Sequence, residues 1–135
     1  MYARKILPIL FACTLAFCSC QEKKADYIQR EPKEYTEKHC PQQLDEFTRI
    51  DSIVYVKNDE AGELKLYYTL TLSDEARAEV MNKLSELGEE NLRIVRNSVI
   101  YAKHKEAGVS FTYIYHDATL GDKIAEYHFT KKDYE

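Results

Sequence analysis

The sequence predicts an α+β domain in which helices cover one face of a four-stranded antiparallel sheet. Three observations predict it. Leucines alternate with polar residues from Leu64 to Leu72; aromatic side chains alternate from Val109 to Tyr115 and again from Ala125 to Phe129; and apolar residues between these runs keep a helical spacing. The resulting order, strand–strand–helices–strand–strand, segregates the helices to one side of the sheet.

Two segments of different character precede that domain. Residues 1–19 read as a lipoprotein signal peptide, with Arg4 and Lys5 as its positive start and an apolar run from Ile6 to Phe17 that is too short to span a bilayer. Ser19 is the small residue that cleavage before a lipidated cysteine demands, which selects Cys20 as the acceptor; Phe17 makes Cys18 the poorer alternative. A thioether-linked diacylglycerol on Cys20, with further acylation of its amine, gives a firm membrane anchor. Gln21 stands where an inner-membrane retention signal shows Asp, so the outer membrane is the expected location. Residues 20–43 are polar and charged and read as a tether after the lipidated Cys20, with a short helical turn after Pro32.

Removing residues 1–19 leaves 17 basic against 23 acidic side chains, a net charge of −6. An acidic chain without a basic run argues against a nucleic-acid partner. Cys13 and Cys18 leave with the signal and Cys20 carries lipid, so Cys40 is left without a partner within the chain. The absence of Trp and the presence of eleven tyrosines make a strand-favouring composition.

The folded domain is expected at 44–135. Ile50, Ser52, Val54 and Val56 form one face of a first strand. Pairing Val56 with Leu64, Val54 with Leu66 and Ile50 with Leu70 keeps apolar residues together, and a one-residue slip would turn them away. Ser73 caps a helix whose first turn holds Asp74 and Glu75, and whose apolar stripe is Ala76, Val80, Leu84 and Leu87. Gly88 is the expected stop. A second helical stretch follows through Leu92, Val95, Val99 and Ala102, broken near Asn97-Ser98 and ending at Gly108; a strand at 94–101 is the alternative. In the last hairpin Phe111 pairs with Phe129 and Tyr113 with Tyr127, and Asp117 lies opposite Lys123 beside the turn.

The Ser19-Cys20-Gln21 site with its charged tether, Cys40-Pro41 before the first strand, and the run from Ala107 to Tyr115 resemble a loose class of small cell-envelope lipoproteins of Bacteroidota-type bacteria. That resemblance implies a place in the envelope and no settled activity. Related chains carry further cysteines that this one lacks.

No catalytic constellation stands out, and an enzyme is not expected. His116 and His128 share a face of the last hairpin but lie roughly 13 Å apart, beyond the reach of one metal ion. Neither a metal nor a cofactor is predicted, and the four scattered glycines make no phosphate loop. Glu126 beside His128 has no nucleophile to serve. The expected contact surface is the sheet face away from the helices, carrying Ile53, Tyr55, Tyr67, Thr112, Ile114, Ile124, Glu126 and His128. Strand propensity alone, or a tether folded back over the face, would explain the same residues. The expected function is a membrane-anchored, non-enzymatic module that binds an envelope protein. An inhibitor or immunity protein that blocks a periplasmic toxin or cell-wall hydrolase is the alternative, since an acidic domain suits a basic cleft.

Overall fold

Helix-forming charged residues crowd positions 24–39, and in the computed structural model, which describes residues 24–135, they form helix α1 (Lys24–His39). Cys20, expected to accept the lipid, and residues 1–19, expected to be a signal segment, lie outside the described residues. Helix α1 corrects the reading of 20–43 as a solvated tether. Ile28 and Pro32, one turn apart, are buried, and Ile28 joins the main core cluster. Two such side chains seat an otherwise wet helix, so its average composition resembles a spacer.

Two polar contacts complete the docking. Pro32 has no N–H to offer the Ile28 carbonyl four residues earlier. His104 supplies the donor instead, its Nε2 lying 3.1 Å from that oxygen. Thr36 Oγ1 accepts from the Ile53 N–H and donates to the Ile53 carbonyl, each at 2.9 Å. One threonine thereby occupies the edge of a strand that would otherwise be open to another chain.

The sheet has five strands, not four. A two-residue β1 (Gln42–Gln43) comes from the segment read as tether and pairs with β2 (Thr48–Val56), followed in order by β3 (Glu63–Leu70), β4 (Ser110–Asp117) and β5 (Lys123–Phe129). The sheet is also mixed: β3 and β4 run parallel, with Glu63 beside Ser110 and Leu70 beside Asp117, while the other pairs are antiparallel. The helices between β3 and β4 return the chain to the end where β3 began, and such a crossover makes the strands parallel.

Strand β2 pairs in a different register from the expected one. Tyr55 and Ile53, rather than Val56 and Val54, lie opposite Leu64 and Leu66, and Ile50 lies opposite Tyr68. The two-residue offset at Ile50 leaves its face unchanged, and a bulge between Ile50 and Ser52 reverses the faces beyond it by one extra residue. Both isoleucines are thereby buried and the smaller Val54 and Val56 are exposed. The last hairpin keeps the expected Phe111–Phe129 and Tyr113–Tyr127 pairs, but a bulge at Tyr115/His116 sets Lys123 opposite His116, not Asp117.

Ser73 caps α2 (Asp74–Asn82) as expected, its side chain accepting from the Ala76 N–H at 3.1 Å. Gly88 does not end a helix; it lies inside α3 (Leu84–Asn97), which is followed by the short α4 (Ala102–Glu106) and, after β5, by α5 (Lys131–Tyr134). A Cβ at Gly88 would stand 2.7 Å from the Tyr127 ring, so glycine serves here for close approach. Tyr127 donates to the Leu84 carbonyl at 2.5 Å and so has little room to yield. Gly88→Ala is therefore expected to lower stability by about 1–3 kcal/mol. An unchanged urea midpoint would show that the ring relaxes.

Candidate functional site

The bulge in β2 divides the residues expected on the open sheet face. Ile53 and Tyr55 point to the helix side: Ile53 is buried, and Tyr55 packs against the core and donates to the Ala61 carbonyl at 3.0 Å. Ile124 also packs against the core cluster. Tyr67, Thr112, Ile114, Glu126 and His128 do share the other face, where Thr112 and Ile114 are buried beneath their neighbours and Glu126 and His128 are exposed.

That face is tied together by polar contacts. Thr112 Oγ1 donates to Glu63 at 2.6 Å and lies 2.7 Å from His128 Nδ1, which is 3.2 Å from the same Glu63 carboxylate. Thr69 donates to Asp51, and Lys123 lies 3.6 Å from Glu126. The Thr112 hydroxyl is engaged on both sides and 4 % exposed, so it links three strands and offers no nucleophile. Among the described residues no group of three or more His, Cys, Asp or Glu side chains is placed to hold a metal ion. Cys40 is free and half-buried, and burial raises its thiol pKa, with Asp51 adding to the rise.

The helix side holds a feature that the sequence patterns did not reveal. Helix α2 has no fully buried residue; its Ala76 and Val80 pack only partly against the core and line a groove of about 700 Å³. Leu72, Val80 and Leu87 line it, Leu44, Phe47 and Ile94 form exposed apolar parts of its rim, and Tyr68, Tyr113 and Tyr115 make its floor. Tyr68 stacks on Tyr115 and on Tyr113, with ring centroids 5.0 and 5.9 Å apart. Buried Asn91 exchanges hydrogen bonds of 2.9 and 3.1 Å with the Tyr115 hydroxyl. Burial pushes Tyr115 and Tyr101 up to about 12 and raises Tyr68 and Tyr113 further, so the floor stays uncharged.

Charge collects at the rim. Asp45, Glu79, Glu86 and Glu90 line the groove; Lys83 lies 3.0 Å from Glu79 and Arg93 pairs with Glu90, which leaves Asp45 and Glu86 without a paired base at the rim among the described residues. Asp45 also accepts from the Phe47 and Thr48 N–H groups at 2.8 Å each, which holds Phe47 at the rim and lowers the carboxyl pKa. The early signal for this site was the pair Leu44 and Phe47 in a polar stretch, which no strand or helix pattern absorbed.

One polar clamp ties α2 to the end of β4. Arg77 donates to Asp117 at 2.5 and 3.3 Å and to the Leu72 carbonyl at 3.3 Å. The Asp117 carboxylate also accepts from the Thr119 and Leu120 N–H groups. The Arg77 hydrogen bond, with those N–H donors, holds its pKa down to about 2. A depressed carboxyl pKa contributes stability above the unfolded value, about 3.9, and that contribution is lost as pH falls toward the folded value. The clamp should therefore open between about pH 4 and 2. Protection factors of α2 amides, corrected for the intrinsic pH dependence of exchange, should fall across that window in the wild type but be low throughout in Arg77→Gln; equal protection in both would show that the clamp does not restrain α2.

A family model described as a domain of unknown function (DUF8479) matches residues 23–125. Two solved structures share the fold. One is a candidate secreted protein of Pseudomonas aeruginosa, 10 % identical, with a TM-score of 0.65 over 85 % of this chain and 99 % of that one. The other is the pilotin of the Vibrio vulnificus type 2 secretion system, 8 % identical, with a TM-score of 0.53 over 83 % of this chain and 92 % of that one. No curated protein matches the chain in sequence.

Proposed function

The chain belongs to the DUF8479 family, and from that membership and the groove we propose a lipid-anchored, non-enzymatic accessory protein of the cell envelope that seats an amphipathic helical segment of another envelope protein. The observation that carries this reading is the apolar groove with its uncharged tyrosine floor. Tyrosine suits such a floor because each ring offers apolar area and a hydroxyl for the incoming chain.

The groove walls are side chains and not a row of free backbone groups. The β2 edge beside it is occupied by β1 and by Thr36. A partner therefore contributes side chains, and a helix with apolar anchors at i, i+3 or i+4, and i+7 matches that demand. The acidic rim selects lysine or arginine on the flanks of that helix and steers its approach. The envelope location is supported by the Ser19-Cys20 processing site and by the fold shared with a secretion-system pilotin.

Site-specific photo-crosslinking in cells tests the reading. A photoreactive residue at Phe47 or Ile94 should give an adduct with an envelope protein, and the adduct peptide should carry apolar residues at helical spacing flanked by Lys or Arg. The same probe at Tyr67 or Val54 should give none. Adducts from the sheet-face positions alone would return the contact to that face and overturn the groove.

A further inference from the structure

We propose that Val99 and Ile100 form a membrane-contacting tip that rests in the lipid headgroup layer beside the anchor. The inference rests on Cys20 carrying the lipid. Among the described residues Val99, at 85 %, and Ile100, at 67 %, are the two most exposed large apolar side chains, and they are adjacent. They sit at the turn between α3 and α4, immediately before Tyr101 and Ala102.

Tether length and packing say what covers them. Only four residue steps separate Cys20 from Lys24, the first residue of α1, and a fully extended chain covers about 14 Å in that distance. The start of α1 therefore rides at the bilayer surface whenever the acyl chains are inserted. That start packs on α4: Lys103 Nζ lies 4.0 Å from the centre of the Tyr27 ring, and His104 bonds the Ile28 carbonyl. Helix α4 and the tip preceding it are thus brought to the lipid by the same short connection.

Charge near the tip is mixed: Arg96, Lys103 and Lys105 flank it, Asp26 and Glu106 lie nearby in the chain, and Glu31 is close enough to act on Tyr101 and His104. The apolar pair rather than net charge therefore supplies the attraction to the headgroup layer, with the three cations available to its phosphates. The groove lining reaches Ile94 and Tyr101 beside the tip, while its Leu44, Phe47 and Glu79 rim belongs to the segment before β2 and to α2.

The chain contains no tryptophan, so one introduced indole reports its own surroundings. The full acylated protein carrying Ile100→Trp would be reconstituted into phosphatidylethanolamine–phosphatidylglycerol vesicles containing phospholipid brominated near the headgroup. Leu120→Trp serves as the control, since Leu120 is also exposed but lies beyond the far end of β4, about 25 Å from the strand's start. Both variants should co-float with vesicles and melt like the wild type. Ile100→Trp emission should shift to the blue and be quenched about twofold, with Leu120→Trp unaffected, as expected for a side chain seated at the acyl boundary. Co-flotation with equal, unquenched emission from both positions would overturn the membrane tip alone. Failure of both proteins to float would overturn the lipid anchor and the tip with it.

Discussion

A chain that begins at Pro41 is expected to lose cooperative folding and to self-associate, although it retains every residue of the five strands. Three terms disappear with α1. Burial of the Ile28 side chain contributes about 1.5–3 kcal/mol. Each hydrogen bond between Thr36 and Ile53 contributes roughly 1 kcal/mol. Pro32 leaves a fully buried position empty, and His104 loses its acceptor at the Ile28 carbonyl. Together these approach the whole stability of a small domain, about 5–15 kcal/mol.

The manner of failure is also specified. Loss of Thr36 exposes the Ile53 N–H and C=O on the β2 edge, and unpaired edge groups recruit strands from other molecules. Urea unfolding and size-exclusion of chains starting at Gln21 and at Pro41 would measure both effects. Equal midpoints and a monomeric Pro41 chain would mean that α1 is, after all, dispensable. Binding studies therefore need the chain with α1 in place.

Phe111→Ala is expected to cost about 3–5 kcal/mol, the largest effect of a single substitution here. Phe111 is fully buried and sits where three elements meet. Its ring meets Tyr101 edge-on at 5.2 Å and Tyr134 at 5.7 Å, and Phe129 lies across the strand. Tyr134 donates to the Val109 carbonyl at 2.9 Å, and Tyr101 adjoins α4, so neither ring can readily collapse into the space. Phe111→Leu, which keeps most of the volume, should cost less than half as much; comparable losses would point to ring geometry rather than volume. A midpoint for Phe111→Ala within about 1 kcal/mol of wild type would show that the site refills.

Much of this architecture is legible in the chain because its signals are local. Alternation from Leu64 to Leu72 reports a half-buried strand whatever lies beside it, and Ser73 followed by two acids marks a helix start through its own backbone. The aromatic pairs of the last hairpin were readable for the same reason, since a short turn leaves few registers. Strand β2 was ambiguous because apolar residues occupy both of its phases, Ile50, Val54 and Val56 on one and Ile53 and Tyr55 on the other. The bulge that chooses between them costs one unpaired residue and gains burial of the larger side chains.

The groove was hidden for a different reason. Ala76 and Val80 show helical spacing, which tells which side of α2 is apolar but not whether anything covers it. The sheet-face expectation failed for Ile53 and Tyr55 through the same bulge, and the remaining polar contacts on that face became visible only once β3, β4 and β5 stood side by side.

By itself the sequence determined β3, β4 and β5 with their apolar faces and the helix cap at Ser73, each a property of residues within a few positions of one another. Tertiary structure alone decided that α1 docks, that β3 and β4 run parallel, and that α2 leaves a groove over the sheet. His104 illustrates the reason: its donor satisfies a carbonyl freed by Pro32, across 76 positions of sequence. A bond of that kind depends on where the whole chain has folded, and no local periodicity encodes it.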